Sequence, residues 1–371
     1  MNILFKKSPS QVETEGISLK ENLENRHNST NWAKPNRHSI WKNWAMLLSF
    51  VIALFAFTTC GSDDDDDVNG GNGSNSGNDT EDNIFTKNPP KSGDVYVVGY
   101  EGREASLWKN GEWIGYATGT DISDIYKANS IFISGKDTYI AGSSGYGGGI
   151  LWKNGVPDGK NFVGNANSVF VEGSDVYVAG SSYVWKNGVE QSLINGGNTG
   201  AVNSVYVFRG NVFVAGYSSN TYSYQPEWAS LWVNGAEQEL VSVSWPTSRA
   251  NSVVVADNGD VYVTGSSTWK NGSVLYNSSG NSISVYGNDV YVASVNAGKN
   301  AIILKNGVEQ QLSNVESSAN CVFVVGSNVY VAGYEYYAPN RNRAVLWKNG
   351  VAQYLTDGAV DAAATSVFVV K

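Results

Sequence analysis

The sequence predicts an all-β protein built from seven similar four-stranded antiparallel sheets, and three repeated features carry this prediction. Trp-Lys-Asn-Gly or a close variant occurs seven times, with its glycine at Gly111, Gly155, Gly188, Gly235, Gly272, Gly307 and Gly350. Asn-Gly between apolar runs is a strong hairpin signal, because both residues tolerate the positive φ of a type I′ turn. Runs of the type Ser-Val-Phe-Val and of the type Val-Tyr-Val-Ala-Gly also occur seven times each, about 39 residues apart.

These sheets are predicted to close into a ring. Their apolar runs are unbroken, as in residues 95–98, Val-Tyr-Val-Val, which indicates that both faces of each sheet are covered. Four-stranded antiparallel sheets in a repeat of about forty residues are typical of β-propeller blades. The first repeat begins at its second strand, near Gly93, and the last ends with its first strand, residues 366–370. We therefore predict a seven-bladed β-propeller over residues 91–371, closed by the C-terminal strand joining the N-terminal blade.

Residues 250–265 carry a family resemblance. They read Ala-Asn-Ser-Val-Val-Val, then Gly-Asp-Val-Tyr-Val-Thr-Gly, and resemble the seven-bladed propeller repeat of bacterial surface proteins and, more distantly, that of NHL propellers. The resemblance implies that Ser-Val-Phe-Val is the innermost strand of each blade. The Gly-x-Asp and Asn-Gly turns would then share one uniform face, and loops of variable length would share the other. Function does not follow, since propellers serve as enzymes, receptors and scaffolds.

Residues 1–59 are predicted to be a leader. The apolar run 44–59, preceded by Lys42 and followed by Cys60, resembles a bacterial lipoprotein signal peptide. Residues 60–90 would then be a lipidated Cys60, carrying a palmitate-type chain, and a flexible linker. The five aspartates at 63–67 resemble the export signal of Bacteroidota surface lipoproteins. The expected location is the outer membrane, lipid-anchored and exposed at the cell surface; the alternative is an uncleaved single-span anchor.

Charge and composition exclude several classes of function. The formal net charge is −9 and no basic patch is visible, which argues against nucleic acid as a partner. Both histidines, His27 and His38, precede Cys60, so histidine-dependent triads and zinc sites lack their parts in the remaining chain. Cys321 replaces the serine of one repeated strand, where we expect it to be packed and unreactive. We predict no metal and no cofactor.

Aromatic residues of the variable loops are the first predicted ligand-binding set. The loops after Gly216 and Gly333, in the fourth and seventh blades, are long, and aromatic faces on such loops offer stacking platforms for sugar rings. The candidates are Tyr217, Tyr222, Tyr224, Trp228, Trp245, Tyr334, Tyr336 and Tyr337. The alternative is packing between blades, which we predict for the repeated tryptophans Trp108, Trp152, Trp185, Trp232, Trp269 and Trp347.

A polar residue before each inner strand forms the second predicted set. The members are Asn129, Asn167, Asn203, Asn251, Asn281, Asn320 and, in the closing copy, Thr365. In a closed ring they would circle the mouth of the central channel on the variable face. Their side chains could bind water, an ion or ligand hydroxyls, or could bond to local backbone where the loop becomes strand.

The resulting hypothesis is a surface-anchored, non-catalytic binding module with carbohydrate as its expected ligand. One alternative is a protein-docking or scaffold subunit of an envelope complex. Another is a glycoside hydrolase or lyase, which needs two suitably spaced carboxyl groups. Acids that depart from the repeat are Glu101, Glu104, Asp121, Asp124, Glu227, Glu335 and Asp361. No pair among them stands out, so the sequence favours binding over catalysis.

Overall fold

The computed structural model describes residues 88–117, 126–145, 147–160, 162–194, 198–220, 226–241 and 247–371. They belong to a compact unit, Gly77–Lys371. Across these ranges no helix is long and apolar enough to cross a bilayer. The predicted leader, the lipidated Cys60 and the linker up to residue 87 lie outside the described residues.

Blades 1 to 4 account for the first fifteen strands and the last one, ordered from the channel outward. Blade 1 contains β28 (Ala362–Val369), β1 (Val95–Glu101), β2 (Glu104–Lys109) and β3 (Glu112–Ala117). Blade 2 contains β4 (Tyr126–Ser134), β5 (Asp137–Ser144), β6 (Gly149–Lys153) and β7 (Val156–Pro157). Blade 3 contains β8 (Ser168–Glu172), β9 (Asp175–Gly180), β10 (Tyr183–Lys186) and β11 (Val189–Ser192). Blade 4 contains β12 (Asn198–Phe208), β13 (Asn211–Asn220), β14 (Trp228–Val233) and β15 (Ala236–Leu240).

Blades 5 to 7 follow the same order. Blade 5 contains β16 (Ala250–Val255), β17 (Val261–Gly265), β18 (Thr268–Lys270) and β19 (Ser273–Tyr276). Blade 6 contains β20 (Ser282–Tyr286), β21 (Asp289–Val295), β22 (Ala301–Lys305) and β23 (Val308–Gln311). Blade 7 contains β24 (Ser317–Val325), β25 (Asn328–Ala338), β26 (Arg341–Lys348) and β27 (Val351–Tyr354).

The C-terminal strand closes the ring. β28 pairs antiparallel with β1, with Tyr96 opposite Phe368 and Val97 opposite Val367. Blade 1 is therefore completed from the two ends of the repeat region, and Ser-Val-Phe-Val is the innermost strand, as predicted. The prediction of an all-β, seven-bladed propeller closed in this way is confirmed.

The asparagine side chain of each Asn-Gly turn is hydrogen-bonded to the adjacent turn. In blade 2, Asn154 has a φ of +53°. Its Oδ1 accepts a hydrogen bond from Thr138 N at 2.8 Å, and its Nδ2 donates to Asp137 Oδ1 at 2.8 Å. The turn between the first and second strands of a blade and the turn between its third and fourth strands therefore lie side by side on one face, which we call the tight-turn face. The connection between the second and third strands of each blade lies on the opposite face, as do the connections from one blade to the next. We call this the variable face.

The glycine of Val-Tyr-Val-Ala-Gly is required by the close approach of a backbone carbonyl from the inner strand or from the residues just before it. In blade 7 the register of β24 against β25 shifts between Ala319 and Cys321. A Cβ added to Gly333 would lie 1.9 Å from the Ser318 carbonyl oxygen, far inside contact distance. Blade 6 has Ser294 at this position, and there β20 pairs with β21 without a bulge.

The repeated tryptophans form the core between blades. All six are at most 2% exposed, which confirms the prediction of core packing. Trp347 of blade 7, for example, packs against Tyr291 and Ile303 of blade 6. Every such cluster joins neighbouring blades, so the hydrophobic stabilisation of one blade depends on the next.

Candidate functional site

The two longest connections of the variable face are β-hairpins. In blade 7, β25 and β26 continue to a turn at Pro339 and Asn340; in blade 4, β13 extends to Asn220. The expectation of loops directly after Gly216 and Gly333 is therefore wrong. The strands run on to Ala338 in blade 7 and to Asn220 in blade 4. The corresponding turn of blade 3 is short.

Three predicted aromatic residues lie on the blade 7 hairpin. Tyr334 pairs with Ala344 and Tyr336 pairs with Asn342, so Tyr334 and Tyr336 share one side of the hairpin. Tyr336 is 43% exposed and Tyr337 is 53% exposed, whereas Tyr334 is half-buried. Tyr336 and Tyr337 therefore present ring surface to solvent.

Arg343 fixes the aromatic rings on the other side of this hairpin. Its guanidinium carbon lies 3.4 Å from the ring centroid of Tyr354 and 5.3 Å from that of Tyr337. Its Nη2 pairs with Glu335 Oε2 at 3.2 Å, and Glu335 is only 5% exposed. Tyr354 is itself 47% exposed. We call this arrangement the Tyr337–Arg343–Tyr354 stack, a rigid surface with two half-exposed rings.

Asp361 joins the hairpin to blade 1. Its Oδ1 accepts from Asn342 N at 2.9 Å and its Oδ2 accepts from the Tyr100 hydroxyl at 3.2 Å. Burial, reinforced by the charge of Asp361, raises the pKa of Tyr100 to about 12, so the phenol remains a donor at neutral pH. The Lys127 ammonium lies 4.5 Å from the Tyr100 ring centroid. Asp361 and Tyr100 therefore serve to hold the hairpin against blade 1.

In blade 4, one face of Tyr217 is covered by a cation. The Arg249 guanidinium carbon lies 4.3 Å from the Tyr217 ring centroid. Arg249 is held by a bidentate pair to Glu227, with Nε to Oε2 at 2.5 Å and Nη2 to Oε1 at 2.7 Å. The hydrogen-bonded Glu227 carboxylate raises the pKa of Arg249 above its already high value. Tyr217 therefore offers less free ring surface than the sequence analysis expected.

Trp228 lies on the opposite side of blade 4. It pairs with Ser218, the strand neighbour of Tyr217, and alternate strand residues point to opposite sides. Its Nε1 donates to Glu237 Oε1 at 3.2 Å, and the same oxygen accepts two serine hydroxyls at 2.7 Å. Trp228 is half-buried and held in place. The remaining candidates of this set lie outside the described residues: Tyr222, Tyr224 and Trp245.

The structure therefore divides the predicted aromatic residues into two groups. Blades 5 and 6 separate blades 4 and 7 on one side, and blades 1 to 3 separate them on the other. In both groups an arginine lies against a tyrosine ring and pairs with a glutamate. The sequence alone did not reveal either arrangement. Tyr354 could have been found from the repeat, because it follows Val-Ala-Gln where blades 3 and 6 have Ser192 and Gln311.

The polar residues before the inner strands are hydrogen-bonded from each blade to the next. Each of the six asparagine Nδ2 atoms donates at 2.9 Å to the carbonyl oxygen just before the equivalent residue of the next blade. Asn320, for example, donates to Ala364 O, and Thr365 Oγ1 completes the ring on Ala128 O at 2.7 Å. The backbone partner is thus in the neighbouring blade and is not local. The donors of this ring are occupied by the fold.

Serines and aromatic rings line the channel beyond this ring. Ser130 Oγ accepts from Val169 N at 3.2 Å, and the pattern repeats around the channel. Five aromatic side chains follow one another with centroids 4.7 to 5.1 Å apart: Phe323, Phe368, Phe132, Phe170 and Tyr206. Cys321 occupies a serine position, and burial raises the pKa of its thiol. It is a packed residue and a poor nucleophile, as predicted.

The candidate acids are mostly used by the fold. Glu227 and Glu335 pair with arginines, and Asp361 accepts hydrogen bonds from Tyr100 and Asn342. Burial, with the nearby carboxylates Asp357 and Glu104, raises the pKa of Glu101. Asp121 and Asp124 lie outside the described residues. In the described part of the chain, no three Asp, Glu, Cys or His side chains are grouped so that they could hold a metal ion.

Comparisons with known proteins give only distant structural matches. No protein-family profile and no curated protein matches the chain. Among solved structures, the extracellular domain of a one-component system from B. thetaiotaomicron aligns with a TM-score of 0.42 and 12% identity, over 64% of this chain and 37% of that chain. Raptor from Chaetomium thermophilum aligns with a TM-score of 0.43 and 10% identity, over 66% and 27%. The WD40 propeller of Doa1 aligns with a TM-score of 0.34 and 14% identity, over 65% and 94%.

This chain thus spans well under two thirds of the length of the first two of these structures. Identities of 10 to 14% carry no ligand or activity across to this chain.

Proposed function

We propose that this protein is a surface-anchored, non-catalytic binding module whose variable face takes carbohydrate, with the blade 7 hairpin as the main contact. The Tyr337–Arg343–Tyr354 stack is the observation that supports the proposal most. Its two tyrosines are 53% and 47% exposed, yet a buried ion pair holds the cation between them. Rings fixed before binding lose little conformational entropy when a sugar stacks on them.

The point at which the N-terminal segment reaches the propeller supports the orientation. Asn88, the first described residue, accepts hydrogen bonds from Lys109 Nζ at its carbonyl and its side-chain oxygen, at 3.4 and 3.3 Å. Lys109 precedes the Asn110-Gly111 turn and so lies on the tight-turn face. A lipid-anchored linker ahead of Asn88 would attach there and leave the variable face directed away from the membrane.

A glycan-array screen of the full-length protein, purified in detergent, tests the proposal. We expect at least one glycan to bind. We expect Tyr337→Ala and Tyr354→Ala each to weaken that binding about tenfold, because each removes a stacking surface. Tyr286→Ala is the matched control, since Tyr286 is 49% exposed but ends an inner strand on the tight-turn face.

A second variant tests the whole face. The hairpin ends of blades 4 and 7 are replaced by the short Ser181-Ser182 turn of blade 3, and folding is checked by the thermal midpoint. Binding should disappear while the midpoint stays near that of the parent protein. Binding preserved in this variant would contradict the assigned face. If no glycan on the array binds but a defined envelope protein does, the scaffold alternative is favoured.

A glycoside hydrolase or lyase is the second candidate, and the raised pKa of Glu101 is the observation that favours it. A carboxyl group with a raised pKa beside a second carboxylate, here Glu104 opposite Glu101 in the β1–β2 pair, is the arrangement these enzymes use. Prolonged incubation with each bound glycan, followed by chromatography of the products, tests this candidate. Cleavage that Glu101→Gln abolishes would establish it, and intact glycan throughout would remove it.

A further inference from the structure

We infer that the ligand of the variable face is an uncharged glycan and that acidic glycans are rejected; the inference rests on the proposed function. An arginine beside a sugar platform is the usual means of holding a carboxylate or sulfate, because its planar fork donates two parallel hydrogen bonds. In this protein each arginine that lies on a candidate tyrosine already pairs with a carboxylate of the chain, Arg249 through two hydrogen bonds and Arg343 through one.

In blade 4 one edge of the guanidinium, Nε and Nη2, is used. Arg249 donates through Nε and Nη2 to the two oxygens of Glu227, at 2.5 and 2.7 Å. An anionic sugar could use this edge only by displacing Glu227, and elsewhere on the guanidinium it would meet the Glu227 charge as well. Beside Tyr217 the pair therefore presents a cation and an anion together, with no net charge. Such a pair both donates and accepts hydrogen bonds, which matches the requirements of sugar hydroxyls.

In blade 7 the carboxylate is buried. Glu335 is 5% exposed and its partner is Arg343, so drawing Arg343 toward a ligand anion would leave a buried carboxylate without its cation. Separating a buried ion pair is strongly unfavourable. The guanidinium between Tyr337 and Tyr354 therefore orients the rings and is not available as an anion receptor.

The surroundings of the blade 7 hairpin also disfavour anions. Glu101 lies close enough to Asp357 and Glu104 for their charges to contribute to its raised pKa. Exposed cations occur nearby at Arg103, Lys127 and Arg341. Lys127 already lies 4.5 Å from the Tyr100 ring centroid, and Arg341 Nη1 donates to a backbone carbonyl at 3.0 Å. The local potential thus gives an acidic polymer no advantage over a neutral one.

The test is an array that pairs neutral polysaccharides with uronate, sulfated and sialylated counterparts, read with the full-length protein at about 50 and about 500 mM NaCl. We expect the bound glycans to be uncharged, with affinities that change by less than about twofold between the two salt concentrations. Binding confined to acidic glycans and weakened by salt would overturn this inference and leave the proposed function standing. A silent array would overturn both.

A variant that removes the carboxylate beside Arg249 tests whether the arginine–glutamate pair excludes acidic glycans. Glu227→Gln keeps the shape of the partly exposed side chain but leaves the Arg249 charge uncompensated, so binding of uronate glycans should rise by about tenfold. Glu316→Gln is the matched control, because it frees Lys299 on the same face at an exposed pair whose atoms are 3.4 Å apart. No gain in Glu227→Gln, or an equal gain in both variants, would show that the arginine–glutamate pair does not exclude acidic ligands.

Discussion

The asparagine before each turn glycine has a backbone role and a side-chain role. Its backbone takes a positive φ, between +50° and +54° in the seven turns, which most side chains disfavour. Its side chain bonds the neighbouring turn through both the amide nitrogen and the amide oxygen. Glycine would meet only the first requirement, and aspartate would lack the donor. This combination explains why the chain repeats Asn-Gly and not Gly-Gly.

Two substitutions at Asn154 separate these roles. Asn154→Gly keeps the backbone conformation but removes two hydrogen bonds, so the free energy of unfolding should fall by about 1–2 kcal/mol. Asn154→Ala also strains the backbone and should cost about 1 kcal/mol more. Urea denaturation measures both. The control is Asn340→Gly, since Asn340 has a φ of +59° but no side-chain hydrogen bond to another described residue; a loss as large at Asn340 would show that the side-chain bonds contribute nothing.

The aspartates of the tight turns predict a dependence of stability on pH. A hydrogen bond from Lys270, with a second from Asn271, lowers the pKa of Asp260 below its ordinary value of 3.8. A carboxyl pKa that is lower in the folded state than in the unfolded state means that ionisation of this carboxyl stabilises the fold. Its contribution is present above pH 3.8 and is lost as the pH falls through the lower, folded value. Blade 4 has Asn211 and Val233 in place of the aspartate and lysine, so this blade contributes no such dependence.

We therefore expect the free energy of unfolding to fall steeply below about pH 4, as the aspartates of blades 1, 2, 3, 5 and 6 are protonated. Urea midpoints measured between about pH 7 and about pH 2 test this. Asp260→Asn should lower stability at neutral pH and make the acid decline shallower. A parallel decline in wild type and variant would assign the pH dependence to other groups.

At the scale of the strand, the inner-strand bulge and the glycine opposite it depend on each other. In blade 7 the bulge lies at Asn320, whose amide bonds the next blade, and the displaced Ser318 carbonyl occupies the space of a Cβ at Gly333. Blade 6 shows the complementary solution. Its strand pairs without a bulge, and the Ser294 hydroxyl donates to Ser279 O at 2.8 Å.

Gly333→Ala should therefore destabilise the protein strongly, by about 3 kcal/mol, because the obstacle is backbone that cannot move aside. Ser294→Gly should lose about 1 kcal/mol, the contribution of one hydrogen bond. Thermal and urea denaturation of both variants give the comparison. An alanine at position 333 tolerated as well as glycine at position 294 would refute the link between bulge and glycine.

At the scale of the molecule, stability depends on closure. β28 contributes the inner strand of blade 1, and its Val367 and Val369 pack with the cores of blades 7 and 1. The same strand supplies Thr365, which completes the hydrogen-bonded ring of the channel mouth. Loss of this strand opens a sheet edge and exposes the facing core of two blades at once.

Deletion of residues 364–371 should abolish cooperative unfolding at the parent temperature. The reason is that the deletion removes most of β28 and interrupts both the core and the ring. Differential scanning calorimetry measures the transition. Deletion of the exposed Lys371 alone is the control and should leave the midpoint unchanged. A normal transition in the longer deletion would mean that closure does not depend on this strand.

Local sequence signals were sufficient to predict the repeat, the turns, the four-strand blade and the closure by the C-terminal strand. Each of these follows from a short pattern, such as Asn-Gly or an apolar run, and repetition makes every such pattern count seven times. The contacts of the candidate side chains, by contrast, became apparent only in the folded ring. Asn320 bonds a carbonyl 44 residues away and Thr365 one 237 residues away. The pairing of Arg343 with Glu335 likewise depends on the register in which β25 and β26 extend beyond Gly333. Contacts made across blades are set by the ring, and no local pattern encodes them.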